Sequence, residues 1–146
     1  MKLTGLAIFA LAMMSFSPWQ TNFSAARQEA QQNHKLILLN FSGSDWCGPC
    51  IRLHKEVFES SAFTRFADSS LVLVNADFPR QKKHQLSKDV QHENELLAEK
   101  YNSKGAFPFT VLLDADGNIL KSWEGLPKET PDEFVNEIDA QLHEHR

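Results

Sequence analysis

The chain is poor in cysteine and carries no excess of positive charge. Its only cysteines are Cys47 and Cys50, so a network of disulfide bonds cannot be what stabilises the fold. With 15 basic and 19 acidic residues the net charge is −4, which gives no electrostatic support for binding to nucleic acid. The composition, 42% hydrophobic with few glycines and prolines, excludes a wholly disordered or collagen-like chain. The length of 146 residues is that of one globular domain.

Long apolar runs are also lacking, since none reaches the roughly 20 residues that a membrane span requires. The longest follows Lys2, covers residues 3–14 and is followed by small residues such as Ser15. A short charged start, an apolar run and small residues are typical of a secretory signal. We predict a signal peptide at residues 1–17, with a buried helix or an uncleaved membrane anchor as alternatives, and a single domain at residues 18–146. Export, most simply to the periplasm, places the two cysteines in an oxidising compartment.

The rest of the chain alternates between the periods of helices and strands. Helices are predicted at 22–33, at 48–58, in a short segment after Ser60 or Ser61, at 91–102, and from Thr130 onward. Strands are predicted at 36–41, 71–76, 109–113 and 119–123. Residues 78–90 are a polar surface excursion with the basic cluster Arg80, Lys82 and Lys83. This alternation predicts an α/β fold with a sheet covered by helices on both faces.

The strongest chemical signal is the motif Trp46-Cys47-Gly48-Pro49-Cys50, between a predicted buried strand and a predicted helix. This position places Cys47 at a helix N-terminus, where free N–H groups and the helix dipole favour a thiolate and lower its pKa. Cys50 lies one turn further on, close enough to attack a mixed disulfide between Cys47 and a substrate. Pro49 costs little in a first helical turn, because its missing N–H would have no partner there. The motif therefore favours thiol–disulfide exchange.

Two other interpretations of the cysteine pair are weaker. A structural disulfide that closes so short a loop removes little chain entropy from the unfolded state. A zinc site needs further ligands, and although His54 lies four residues beyond Cys50, no second pair with ligand spacing exists. We therefore expect no metal and no cofactor apart from a redox-active disulfide between Cys47 and Cys50.

The chain resembles the thioredoxin superfamily. Residues 46–50 match the thioredoxin active-site pattern letter for letter, and the resemblance extends over about residues 19–146. Two strand ends, one loop and one hairpin turn are also shared: Asn40-Phe41, Asn75-Ala76-Asp77, Gly105-Ala106-Phe107-Pro108 and residues 114–117. The chain is most similar to the exported, thioredoxin-like disulfide-reductase group of bacteria, which also has the leading Trp19 and the phrase at residues 41–44.

The resemblance implies a thioredoxin fold, with a central mixed sheet, and thiol–disulfide exchange with protein thiols and disulfides. It implies that Pro108 is a cis-proline facing the cysteine pair, beside which an extended substrate segment pairs as an added strand. Trp46 and Phe107 would then provide the substrate platform. Gly48-Pro49 is the dipeptide of reducing thioredoxins, so a membrane-bound or exported electron donor must recharge the protein. We expect a monomer.

The chain departs from the family at one buried position. Typical thioredoxins carry an Asp in the central strand behind the second cysteine, whereas the matching residue here is Asn40. The Lys that accompanies that Asp is replaced by Leu73. An amide cannot accept a proton from Cys50 near neutral pH. We therefore expect mixed disulfides to be resolved more slowly than in a thioredoxin with the Asp.

These observations predict an exported thiol–disulfide oxidoreductase that reduces protein disulfides through a Cys47 mixed disulfide resolved by Cys50. One alternative within the same chemistry is a dedicated reductant for the haem-binding cysteines of cytochrome c. An alternative of another class is a non-enzymatic module that holds peptides in the groove around Trp46 and Phe107. Insulin reduction in dithiothreitol separates the two classes, because only the enzyme depends on Cys47.

Overall fold

Continuous apolar runs form the central strands of a mixed sheet. The computed structural model describes residues 18–145, and within them the sheet has five strands in the order β1-β3-β2-β4-β5. The strands are β1 Trp19–Gln20, β2 Leu36–Ser42, β3 Leu71–Asp77, β4 Phe109–Leu113 and β5 Ile119–Glu124. β1, β3 and β2 run parallel, whereas β4 and β5 each pair in the antiparallel sense. The predicted signal peptide at residues 1–17 lies outside the described residues.

Helices cover both faces of this sheet, as predicted. Within residues 18–145 the α-helices are α1 Phe23–Asn33, α2 Gly48–Leu53, α3 Ser61–Ser70, α4 Lys88–Tyr101 and α5 Pro131–Glu144. α2 continues into a π-helical segment at His54–Phe58, and a short 3₁₀ turn at Lys82–His84 lies between β3 and α4. No helix in this part of the chain is both long enough and apolar enough to cross a bilayer.

Alternating side chains of β2 enter two separate apolar layers. Leu36 and Leu38 pack into the layer formed with α2, α3 and α5. Ile37 and Leu39 pack into the opposite layer, formed with α1 and α4. Because side chains alternate along a strand, Asn40 lies on the same face as Leu36 and Leu38. The sheet therefore directs one buried amide towards the layer that contains α2.

Several helix ends follow from local capping chemistry. Thr130 and Glu133 form the predicted capping box, with Pro131 in the first turn of α5. Ser60 caps α3 by accepting a hydrogen bond from Phe63 N, as one of the two predicted caps. The predicted start of α4 at residue 91 is wrong, because the Ser87 side chain accepts from Val90 N and the helix begins at Lys88.

Two features of the backbone were not predicted. β1 is a two-residue strand that extends the sheet beyond β3, in a stretch where no periodic pattern is long enough to indicate a strand. The predicted single helix at 48–58 is instead an α-helix followed by a π-helical turn, in which Glu59 N donates to His54 O. This wider turn allows the neighbours Val57 and Phe58 both to be buried.

Candidate active site

The two cysteines lie where the chain leaves β2 and enters α2. Cys47 is the N-cap of α2, and its Sγ accepts a hydrogen bond from Cys50 N at 3.3 Å. The two residues form a disulfide, with their Cα atoms 5.2 Å apart. Pro49 lies in the first turn of the helix, as the sequence predicts. The sulfur of Cys47 therefore lies at the positive end of the helix dipole, where a thiolate is stabilised.

Exposure does not distinguish the two sulfur-bearing residues in this oxidised form. Cys47 is 5% exposed and Cys50 is 4% exposed, whereas Gly48 and Pro49 between them are exposed. The difference between the cysteines is their place in the helix. Cys47 precedes the first turn, and its sulfur accepts a hydrogen bond from a backbone N–H, whereas Cys50 lies within the helix. This asymmetry favours Cys47 as the more acidic thiol.

An aromatic cluster adjoins the disulfide. Trp46 contacts Phe107 edge to face, with ring centroids 5.5 Å apart, and Phe107 contacts Phe78 at the same separation. The indole N–H of Trp46 donates to Phe78 O at 2.7 Å. The peptide bond between Phe107 and Pro108 is cis. The structure thus brings together three predicted site residues, Trp46, Phe107 and Pro108, and adds Phe78, which the sequence pattern did not single out.

Gly43 is required by the position of Trp46. A Cβ atom at Gly43 would overlap the five- and six-membered rings of the Trp46 indole. The backbone of Gly43 also supports the loop, since its carbonyl accepts from the N–H groups of Trp46 and Cys47. A side chain at this position would therefore move the indole ring that adjoins the disulfide.

The carboxylate of Asp77, at the end of β3, fixes one side of the loop that precedes the cysteines. It accepts hydrogen bonds from Ser42 Oγ, from Ser44 N at 2.9 Å and from Ser44 Oγ. These bonds join the carboxyl end of β3 to Ser42, the last residue of β2, and to Ser44 in the loop that follows. The neighbouring strand thereby sets the position of the loop that leads to Cys47.

The carboxylate of Asp45 fixes the other side of the same loop. It accepts from Arg80 N and Gln81 N, each at 2.9 Å, and from His84 Nδ1 at 3.0 Å. The side chain of Asp45 is 5% exposed. The backbone N–H of Arg80 is the main reason that the pKa of Asp45 lies below its ordinary value, with Gln81 N–H and His84 acting in the same direction. Asp45 is therefore held as a carboxylate that joins two loops.

Asn40 is buried and forms hydrogen bonds with two neutral polar side chains. It is 5% exposed, its Nδ2 donates to Asn75 Oδ1 at 3.1 Å, and its Oδ1 accepts from Thr110 Oγ1 at 3.1 Å. Both partners belong to the strands adjacent to β2. These bonds satisfy the amide without introducing a charge, but they supply no group that accepts a proton near neutral pH.

His54, four residues beyond Cys50, contacts other groups. Its Nε2 lies 3.4 Å from a carboxylate oxygen of Glu59, and its ring lies against Trp19 and Phe58. Within residues 18–145 no three His, Cys, Asp or Glu side chains are arranged to hold a metal ion.

Two residues that organise the site, Asp45 and Asp77, were missed by sequence reasoning. Asp45 lies in a turn cluster, and Asp77 follows a buried strand, so each has an ordinary local explanation. Their partners are distant in the chain: Asp45 and Arg80 are 35 residues apart. The only signal that could have indicated them is the convergence of the carboxyl ends of two parallel strands at one edge of the sheet.

Comparison with known proteins finds thioredoxin-like and Dsb proteins. A family model described as a thioredoxin-like domain matches residues 23–142. The disulfide bond reductase DsbH of Chlamydia pneumoniae is 41% identical over 102 residues, which are 70% of this chain and 59% of that protein. The thioredoxin-related protein DsbJ of the same organism is 29% identical over 95 residues, which are 65% of this chain and 26% of that protein. The chain thus spans less than two thirds of either relative.

Solved structures agree with this match. A structure described as DsbH oxidoreductase has a TM-score of 0.77 at 28% identity and covers 96% of this chain and 95% of its own. A poplar thioredoxin h has a TM-score of 0.57 at 21% identity, covering 86% of this chain and 93% of its own. At that identity the second likeness concerns the fold alone.

Proposed function

This chain belongs to the thioredoxin-like family, and from that premise we propose that it is a thiol–disulfide oxidoreductase that reduces protein disulfides in an exported compartment. The observation that carries the proposal is the Cys47–Cys50 disulfide at the start of α2, with Cys47 as the N-cap. The similarity to a protein described as a disulfide bond reductase supports the direction of electron flow. So does the dipeptide Gly48-Pro49 between the cysteines, which is that of reducing thioredoxins.

The first step is attack by Cys47 in the reduced form. Its thiolate attacks one sulfur of a substrate disulfide, the substrate S–S bond breaks, and the second substrate sulfur leaves as a thiolate that takes up a proton. The product is a mixed disulfide between Cys47 and the substrate. The Cys50 N–H that faces Cys47 Sγ, together with the dipole of α2, favours the thiolate that starts this step.

The second step is attack by Cys50 on the Cys47 sulfur of the mixed disulfide. The Cys47–Cys50 bond forms, the bond to the substrate breaks, and the remaining substrate sulfur leaves as a thiol after protonation. Two electrons and two protons have then passed from the protein to the substrate. A dithiol protein, membrane-bound or exported, must return two electrons by the same exchange in reverse. Because Asn40 cannot accept the Cys50 proton, this step proceeds more slowly than in a thioredoxin with a buried carboxylate.

In this proposal the substrate lies against the exposed parts of Trp46 and Phe107, alongside the Phe107-Pro108 segment. Trp46 and Phe107 are both half-buried, so each leaves part of its ring available for contact. An extended substrate segment would pair with backbone groups beside Pro108, as an added strand. The aromatic faces would then exclude water from the sulfur atoms during exchange.

Insulin reduction in dithiothreitol tests the chemistry. The wild-type protein should accelerate precipitation of the insulin B chain, and Cys47→Ser should not. Reduced Cys50→Ser, freed of dithiothreitol before insulin is added, should accumulate a mixed disulfide detectable by mass. Circular dichroism of the two serine variants controls for folding. Equal precipitation rates for wild type and Cys47→Ser would favour a peptide-binding module instead.

Export is tested separately with an alkaline phosphatase fusion, because that enzyme is active only where its own disulfides form. Residues 1–17 fused to phosphatase should give activity in a bacterial host, while a control fusion without residues 3–14 should give none. Equal activity of the two fusions, or no activity from either, would contradict export by this segment.

A further inference from the structure

The loop between β3 and α4 is the feature that the proposed chemistry leaves unexplained. We name residues 78–87 the basic loop. It contains Arg80, Lys82, Lys83 and His84 but no Asp or Glu, although the whole chain has a net charge of −4. The local charge of this loop is therefore opposite in sign to that of the molecule.

The basic loop is held firmly against residues 43–47, which connect β2 to α2 and which we name the active-site loop. The Asp45 carboxylate accepts hydrogen bonds from Arg80 N, Gln81 N and His84 Nδ1. The indole N–H of Trp46 donates to Phe78 O, at the start of the loop. Because Asp45 and Trp46 are the two residues before Cys47, these bonds join the basic loop to the segment that leads into the disulfide.

The cations of the basic loop are available to a partner. The residues from Arg80 to Gln85 are all exposed. The guanidinium carbon of Arg80 lies 3.7 Å from the ring centroid of Trp46, a contact that positions the cation without neutralising it. Among residues 18–145, no carboxylate oxygen lies within salt-bridge distance of the side-chain nitrogens of Arg80, Lys82 or Lys83. A cluster of cations without neighbouring carboxylates raises the local concentration of anionic groups.

We propose that the basic loop binds an acidic segment of the partner protein that exchanges disulfides with Cys47. This inference rests on the proposed function and adds a substrate class to it: proteins whose reactive disulfide lies next to Asp or Glu residues. Arg80 suits a carboxylate partner because its planar fork can donate two parallel hydrogen bonds. Lys82 and Lys83 act mainly by steering, which raises the rate of encounter.

The test uses two synthetic peptides, each with one intramolecular disulfide, that differ only in a flank of four Glu or four Gln residues. The kcat/KM for their reduction is measured with dithiothreitol as the donor, at 50 and 200 mM salt. The Glu peptide should be reduced about tenfold more efficiently at low salt, because electrostatic steering raises association rates by at least that factor. The advantage should shrink at the higher salt concentration, because screening shortens the range of the field.

Charge-neutralising variants show which cations cause the preference for the Glu peptide. Lys82→Gln/Lys83→Gln should lose most of the preference for the Glu peptide while reducing the Gln peptide at the wild-type rate. Arg65→Gln/Lys100→Gln is the matched control with the same change in net charge. Arg65 and Lys100 are exposed and lie towards the end of the sheet where β2 begins, away from the disulfide. This control should keep the preference.

The outcomes separate the two proposals. Equal reduction of both peptides by the wild-type protein, at both salt concentrations, overturns the acidic-partner inference and leaves the proposed function standing. No reduction of either peptide removes the proposed function and this inference with it. If Lys82→Gln/Lys83→Gln loses binding to vesicles containing anionic phospholipid but keeps the peptide preference, the loop is a membrane site and the inference is wrong.

Discussion

Replacing Asn40 with Asp should speed the resolving step and destabilise the fold in a pH-dependent way. The amide is 5% exposed and donates from Nδ2 to Asn75 Oδ1. A carboxylate oxygen in place of that nitrogen faces another acceptor unless it is protonated. When ionised it can take the Cys50 proton, and general bases typically contribute about 10²–10⁴-fold. Even an imperfectly placed carboxylate should therefore shorten the lifetime of the mixed disulfide by about tenfold.

The loss of unfolding free energy in Asn40→Asp can be estimated from the burial and the hydrogen-bond partners of this position. Burial without a cationic partner raises the pKa of the introduced carboxyl above its unfolded value of about 3.9. A rise of about two units corresponds to about 3 kcal/mol at neutral pH. Below about pH 4 the neutral carboxyl can donate its proton to Asn75 Oδ1, and the cost is small. The deficit relative to wild type should therefore grow as the pH rises from about 4 to about 6, and then level off.

Two measurements check this prediction. Urea denaturation of wild type and Asn40→Asp from pH 4 to 8 gives the stability difference, and acid-quenched flow gives the lifetime of the mixed disulfide over the same range. Asn40→Ala is the control, since it removes the amide without supplying a base, and should lower stability without shortening the lifetime. A folded Asn40→Asp protein whose mixed disulfide persists as long as that of wild type at every pH would refute the assignment of Asn40 to the position of the family's base.

Three further predictions concern single residues. In the reduced protein, Cys47 should be alkylated by iodoacetamide before the other cysteine, with a pH midpoint below the ordinary thiol value of about 8.5; faster labelling of the other cysteine would reverse their roles. Gly43→Ala should displace the Trp46 indole, lower the rate of insulin reduction and change the tryptophan fluorescence; an unchanged rate and spectrum would show that the loop yields without moving the ring. The indole N–H of Trp123 is the main reason that the pKa of Glu137 is lowered, so the stability this carboxylate contributes above its unfolded pKa is lost as the pH falls. Glu137→Gln should accordingly lose less stability than wild type between pH 7 and pH 3 in urea denaturation, and parallel curves would contradict this role.

The parts of the fold that were predictable have local causes. The apolar run that begins at Leu36 suits a strand that is buried on both faces, and it forms β2. Thr130, Pro131 and Glu133 carry the full chemistry of a helix start, and α5 begins there. The alternation of elements and the resemblance at residues 46–50 predicted a thioredoxin fold. The five-stranded mixed sheet and the match to a thioredoxin-like family model confirm it.

The features that were not predictable depend on contacts between distant parts of the chain. β1 consists of two residues, and only their pairing with Leu73 and Val74 makes them a strand. The spacing of the apolar residues near Val57 suits an α-helix as well as a π-helical turn, so the pattern could not distinguish them. The anchoring of the basic loop by Asp45 has no local signature, since its partners lie 35 residues or more along the chain.

The two carboxylates that hold the active-site loop bear on how a partner tells the oxidised protein from the reduced one. Asp45 and Asp77 each accept three hydrogen bonds from nitrogen or oxygen atoms, and none of these bonds involves sulfur. Breaking the disulfide therefore removes none of the hydrogen bonds of these two anchors, and we expect residues 43–47 to keep their position on reduction. The shape of this segment would then carry little information about the redox state. We expect a partner to recognise that state from the sulfur atoms themselves, through the proton or the charge that the Cys47 thiol gains on reduction.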